Sequence, residues 1–146
     1  SQFTRVQSEF IHLPFPDLSV SIVIFNASFH YSENYDQTLA EALRVLQTAG
    51  QIIIMDSPVY HDSASGEQML AERNASFISR YGFASDSIKS EGYLTFQRMK
   101  TLASKFELTW THVRPFYGIR WAVRPWLARL RGAREPAEFG LWVGRR

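Results

Sequence analysis

Residues 13–58 read LPFPDLSVSIVIFNASFHYSENYDQTLAEALRVLQTAGQIIIMDSP, and this stretch decides the fold. Within it Val20-Ser21-Ile22-Val23-Ile24-Phe25 is a short, nearly continuous β-branched and aromatic run, and Ile52-Ile53-Ile54-Met55 is a second. Strands buried on both faces read this way, the habit of parallel sheets covered by helices. Between the runs Leu39, Ala42, Leu43 and Leu46 fall at i, i+3, i+4 and i+7, the apolar stripe of a helix. Asp36 is the expected cap at its start and Gly50 the expected stop at its end. Strand, helix, strand at this length is a crossover unit, so the two strands are expected to be parallel neighbours joined right-handedly.

Outward from that unit, residues 57–92 are rich in Ser, Asp, Glu and Gly, with apolar residues spaced helically around Met69, Phe77 and Ile78. A loop, a helix over about residues 65–81 and a second loop are predicted there. This is long for a connection, since most run about 2–6 residues. It reads as a substrate-side insertion, a lid or wall with Tyr60 and His61 at its base and Met69, Leu70 and Phe77 turned toward the sheet or substrate; the plain alternative is a fixed helix with no substrate contact. A helix follows from about Leu94 to Phe106, with Phe96, Met99, Leu102 and Ala103 on its buried side. From Glu107 to Val113 the chain alternates Leu108, Trp110 and His112 against Glu107, Thr109 and Thr111, a strand pattern. Residues 119–131 suit a helix if Pro125 sits in its first turn, or a helix broken there. Residues 139–143 read as a last strand. The class is α/β, a single domain over residues 1–146.

Composition narrows the function. The chain has 146 residues, 45% hydrophobic and 21% charged, which suits one globular domain with a substantial core. No apolar run approaches the roughly 18 residues of a membrane span. No cysteine is present, which excludes disulfide scaffolds, thiolate zinc sites, iron–sulfur clusters and cysteine nucleophiles. There is no G-x-S-x-G elbow, no phosphate-binding G-x-x-x-x-G-K-[ST] loop, and no His or carboxylate spacing that makes a metal site. No signal segment follows Ser1, so a cytoplasmic protein is expected.

Charge is unevenly placed. Residues 1–100 carry seven Lys or Arg against eleven Asp or Glu, a net of −4; residues 101–146 carry nine against three, a net of +6. Such a split marks a surface for phosphates or nucleic acid, or ends that face each other or water. The stretch from Tyr117 to Trp126 reads either as a strand-binding surface or as an amphipathic cover whose arginine stems shield apolar surface. The second reading is preferred, with neither nucleic acid nor membrane expected as a partner.

The run from Leu13 to Pro58 resembles the class I S-adenosylmethionine-dependent methyltransferases, specifically the small-molecule "type 11" group. That group's pattern reads LPFPD-x-SFD, an apolar strand, then a helix ending R-V-L-x-P-G-G. The SFD stands here as Ser19-Val20-Ser21 and the P-G-G turn as Thr48-Ala49-Gly50. The resemblance covers about residues 6–58 well and the later elements more loosely. It implies a Rossmann-like sheet, mostly parallel with the last strand antiparallel, and helices on both faces. The family's glycine-rich G-x-G-x-G loop is missing, because the eight glycines are scattered from Gly50 to Gly144. The resemblance therefore implies the C-terminal portion of a longer parent, with the first strands and half of the cofactor site before Ser1.

By the same resemblance the reaction is methyl transfer from S-adenosylmethionine to a small-molecule acceptor, leaving S-adenosylhomocysteine. Glu9 and Phe10 would meet the adenine, the acid accepting a hydrogen bond from the exocyclic amine; the plain alternative is a solvated Glu beside a core Phe. Asn26 and Ala27 would lie along the methionine part of the cofactor, unless Asn26 is only a turn-former. In-line methyl transfer asks the protein to align donor and acceptor, exclude water and remove a proton where the acceptor carries one. His30 and Tyr31, at the mouth, suit the catalytic role of base and stacking partner, or are packing residues. Tyr60 and His61 are the expected substrate contacts. The chain by itself is expected to bind the cofactor weakly and to be inactive, and its first strand to form an open, apolar edge that invites a homo-oligomer. The competing class is a non-catalytic, methyltransferase-like interaction module or subunit.

Overall fold

In the computed structural model, residues 4–84, 89–116 and 118–146 are described; Tyr117 and residues 85–88, within the stretches singled out above, lie outside them. The first strand, β1 (Val20–Asn26), leads through a one-turn 3-10 helix (Phe29–Tyr31) into helix α1 (Tyr35–Val45), and β2 (Leu46–Met55) follows. The strands pair in parallel, Val23 opposite Ile52 and Phe25 opposite Ile54, so the crossover unit is as the sequence predicts.

Details at its ends differ. The helix cap is Asn34, whose side chain accepts from the Gln37 N–H, while Asp36 sits inside the first turn. The helix stops at Val45 because Leu46 turns extended, so the fourth apolar residue of the stripe is the first of the strand. Gly50 is not the stop. It lies where β2 folds tightly on itself and a Cβ would press on the Leu46 side chain and the Gln47 carbonyl. That excursion shifts the register between Val20 and Ile22.

Downstream come β3 (Val59–Tyr60), α2 (Ser63–Tyr81), β4 (Leu94–Thr95), α3 (Phe96–Phe106), β5 (Thr109–Val113), α4 (Ile119–Ala122), α5 (Arg124–Leu130) and β6 (Leu141–Arg145). The helix expected from Leu94 starts two residues later, because Leu94 and Thr95 pair in parallel with Val59 and Tyr60 and Thr95 caps α3. Glu107 is the left-handed cap of α3 and not strand, so β5 opens at Thr109. Pro125 occupies the first turn of α5 and the chain breaks before it, dividing the helix expected over 119–131 into α4 and α5.

The main sheet runs β1-β2-β6-β5. β6 is antiparallel to both neighbours, so β1, β2 and β5 share one direction and the last strand opposes them. One core joins Phe25, Phe29, Tyr35, Leu39, Ile52, Ile54, Met99, Leu102 and Trp142. β1 is not buried on both faces: Ile22 and Ile24 are more than half exposed at the edge of the sheet.

The entry to β1 is fixed from α1. The Arg44 guanidinium donates to the carbonyls of Leu13 and Phe15 and to the Asp17 carboxylate, and binds Glu41 through both Nε and Nη2. Glu41 also accepts from the Leu13 N–H at 2.7 Å. The hydrogen bond from Arg44, with that from Leu13, holds the Glu41 carboxyl at a pKa of about 2, below its ordinary 4.5. A carboxylate lowered in this way stabilises the fold above its ordinary pKa and stops doing so as pH falls toward 2. Arg44→Lys, which loses the fork, should lower the urea midpoint at pH 7, and the gap to wild type should close between about pH 4.5 and 2.

Helix α2 begins at Asp62, which accepts from the Ser65 N–H at 2.7 Å. Its buried contact is Gly66 against the ring of Tyr93, where a Cβ would overlap the ring. Beyond Leu70 the helix is largely exposed, and Phe77 packs locally with Tyr81 and Phe83 rather than on the sheet. In a helix interior Ala ordinarily beats Gly by about 1 kcal/mol. Gly66→Ala should reverse that sign, the overpacking costing about 1–3 kcal/mol, and calorimetry should show a transition lowered by a few degrees.

Candidate functional site

The parallel strands end at Asn26 and Met55, and each is followed by a non-glycine residue in the left-handed region, Ala27 at φ 49° and Asp56 at φ 52°. Such backbone costs on the order of 1–2 kcal/mol per residue and collects at binding sites. The Ala27 N–H donates to the Met55 carbonyl at 3.0 Å, so both strand ends turn away together. Ligands of open α/β sheets bind at this end.

Two groups of side chains meet there. A cavity of about 440 Å³ is lined by Glu9, Phe10 and Tyr31 together with Glu33, Asn34 and Gln37 from the start of α1. The Phe10 ring stands 6.3 Å from that of Phe25, the residue before Asn26. Glu9 lies 3.6 Å from His12, both exposed. The sequence-predicted adenine residues and Tyr31 thus share one cavity, with a carboxylate acceptor and two aromatic faces, which fits a flat base bearing an amine. Asn26 and Ala27, at and just past the end of β1, are not among the residues that line it.

His30 is turned inward. Its Nδ1 is 3.2 Å from the Ser57 hydroxyl, its carbonyl accepts from the Gly92 N–H, and its ring packs on Tyr31 at 4.2 Å. Burial, with the Arg73 charge adding, lowers its pKa from 6.5, so the imidazole is neutral at neutral pH.

The second group lies where the β5–β6 connection returns over β3. Val59 and Glu138 exchange both backbone hydrogen bonds, at 3.0 and 2.8 Å. His61 Nε2 sits 3.1 Å from Glu138 Oε1, and the His61 ring stacks on Phe96 at 4.5 Å. The other Glu138 oxygen accepts from Arg114 at 3.1 Å. Tyr60 is buried, its hydroxyl 3.4 Å from Arg134, which also donates to Glu72 of α2 at 2.8 Å. Burial raises the Tyr60 pKa, so it stays a phenol. The sequence reading missed Ser57, Arg114, Arg134 and Glu138. No local pattern marks them; Glu138 reaches its histidine across 77 residues of chain. No group of three or more His, Asp or Glu side chains placed to hold a metal occurs among the described residues.

Residues 1–54 match the family model described as a methyltransferase domain. The fold of the whole chain agrees. A SAM-dependent methyltransferase of Thermotoga maritima superposes with a TM-score of 0.58 at 12% identity, over 95% of this chain and 61% of that one. The YcgJ protein of Bacillus subtilis gives 0.59 at 14% identity, over 97% and 70%. The geranyl diphosphate C-methyltransferase of Streptomyces coelicolor, solved with S-adenosyl-L-homocysteine, gives 0.56 at 12%, over 95% and 52%. No curated protein matches the sequence. The chain thus has the methyltransferase fold and spans about six tenths of the length of the Thermotoga protein.

For His30 the lowered pKa has a sign that can be measured. Below 6.5 the unfolded chain takes up a proton that the folded one refuses, so stability falls as pH drops toward the folded value. Urea midpoints taken from pH 7.5 down to 5 should decline, and His30→Asn should flatten part of that decline. His112, also lowered by burial, acts in the same direction.

Proposed function

We propose that this chain supplies the adenine-facing and acceptor-facing sides of an S-adenosylmethionine-dependent methyltransferase acting on a small molecule. In this reading it works within a cytoplasmic parent protein whose glycine-rich segment completes the cofactor site, and the exposed β1 edge takes a further strand from the parent or a second copy. The observation that carries the reading is the convergence of Glu9, Phe10 and Tyr31 on one cavity at the strand ends, within or beside the stretch that matches the family.

The bound cofactor supplies an electrophilic methyl group on a sulfonium centre. Everything else falls to the residues. Glu9 accepts from the adenine amine, and Phe10 and Tyr31 flank the base. Asn26 offers its amide to the amino-acid end, where Ala27 turns the backbone aside. His30, neutral through burial, takes the proton that a protonated acceptor sheds, and the Ser57 hydroxyl fixes its ring. Residues 57–92 form the acceptor wall as an insertion, with Tyr60 and His61 held by Arg134 and Glu138, so that water is excluded and the acceptor aligned.

In the parent protein, His30→Ala should lower kcat by about 10²-fold or more with cofactor affinity unchanged. His61→Ala should act chiefly on the Michaelis constant of the acceptor. Calorimetric titration of the 146-residue chain alone should show only weak binding of S-adenosylhomocysteine. Tight binding by the chain alone would overturn the division of the cofactor site, and methyl transfer indifferent to His30 would overturn its role.

A further inference from the structure

From Arg114 to Arg134 the sequence carries six arginines and no acid. The same segment, the first part of the connection from β5 to β6, bears an unusual share of the chain's exposed large apolar side chains. Phe116 is 79% exposed, Ile119 77%, Trp126 63% and Leu130 65%, and Trp121 and Val123 stand at the surface beside them. In α5, Trp126 and Leu130 are four residues apart and share a face. Arg124, Leu127 and Arg131 line a cleft that also includes Gln68 and Glu72 of α2. The Arg124 guanidinium lies 4.1 Å from the centroid of the Trp121 ring. A surface that gathers bulky apolar groups among cations in this way is a binding surface more often than an accident.

We propose that the α4–α5 segment docks on the surface of an anionic phospholipid bilayer, Phe116, Ile119, Trp126 and Leu130 entering the interface while Arg120, Arg124 and Arg131 meet lipid phosphates. Charge complementarity selects this occupant: Arg114 and Arg134 are paired with Glu138 and Glu72, and between them Arg120, Arg124 and Arg131 lie in a stretch of sequence without an acid, which seeks a dense negative surface. The apolar complement selects it over a nucleic-acid strand. A strand would use the rings and the arginines, but it offers nothing to Ile119, Val123 and Leu130, whereas the boundary between headgroups and acyl chains takes all of them. The sequence reading set membranes aside for want of a spanning run. That argument concerns crossing a bilayer, and a short amphipathic segment suffices for lying on one. The segment leaves β5 at the end where β1 and β2 also finish, so docking brings the bilayer to the side of the molecule that carries Asn26, Tyr60 and His61.

The test is co-sedimentation of the full chain with vesicles of phosphatidylcholine alone and of phosphatidylcholine mixed with phosphatidylglycerol, at low and physiological salt. Binding to the anionic vesicles should exceed that to neutral ones by about tenfold or more and weaken with salt. The double variant Arg120→Gln, Arg131→Gln should lose roughly 25-fold, at about fivefold for each arginine near the surface. Trp126→Ser with Leu130→Ser should release the chain at physiological salt, and circular dichroism checks the fold of each variant. Should a variant fail to fold, quenching of wild-type tryptophan emission by brominated lipid in anionic vesicles decides the matter alone. Equal binding to neutral vesicles, full binding by the arginine variant, capture of oligodeoxythymidylate but not vesicles, self-association that hides Trp126 and prevents vesicle binding, or no quenching would each overturn the proposal.

Discussion

The guanidinium of Arg44 reaches from the last turn of α1 to the carbonyls of Leu13 and Phe15 and to Asp17, with Glu41 locked alongside. Backbone bonds complete the junction, Leu18 and Ser19 donating to the carbonyls of Arg44 and Val45. One planar cation with several fixed donors therefore sets the end of the helix, the approach to β1 and the loop between them. The chain just before that loop carries Glu9 and Phe10, so the floor of the cavity is positioned by a residue that does not line it. This gives a physical reason for the LPFPD and R-V-L portions of the family pattern to occur together. One presents carbonyls and a carboxylate, the other the fork that collects them.

The opposite wall is assembled by a different kind of force. Residues 57–61 and 134–138 meet through an exchanged pair of backbone hydrogen bonds, a histidine on a glutamate and an arginine bridging to α2. These groups are partly exposed, and each ion pair on its own is worth little in water. Together they tie three segments far apart in sequence into one polar seam beside the strand ends. The proposed cofactor side thus rests on a local anchor near the start of the chain, and the proposed acceptor side on long-range ties. In such an arrangement the polar seam can change its residues without disturbing the rest.

How legible was this in the sequence? The crossover unit could be read because the β-branched runs and the helical stripe agree, and the same residues fill the core. Asn34 displaced Asp36 as the cap because capping depends on which side chain reaches the Gln37 N–H, and periodicity carries no such information. Gly50 misled because a glycine needed for close approach looks the same in sequence as one that ends a helix. β1 looked doubly buried, yet Ile22 and Ile24 are exposed; composition records what a strand suits, not what covers it. Glu9 and Phe10 could be singled out together through the family pattern, but Tyr31 reads in sequence as an acceptor residue with His30 and joins them only in the folded chain, and Glu138 and Arg134 act only through distant partners that no local window contains.

The last strand in sequence is an inner strand in space. β6 lies between β2 and β5, and β5 has no other neighbour in the sheet among the described residues. As the chain emerges, β1 and β2 can pair at once around α1, but β5 must wait until residues 141–145 arrive and insert beside it. Closure of the sheet is therefore a late, non-local event in folding, of the kind that slows a search. Until it occurs, Trp142 and the edge of β2 at Ile52–Ile54 that β6 pairs with stay open to misdirected contacts. Five residues that take no part in the cavity thereby govern how fast the sheet closes.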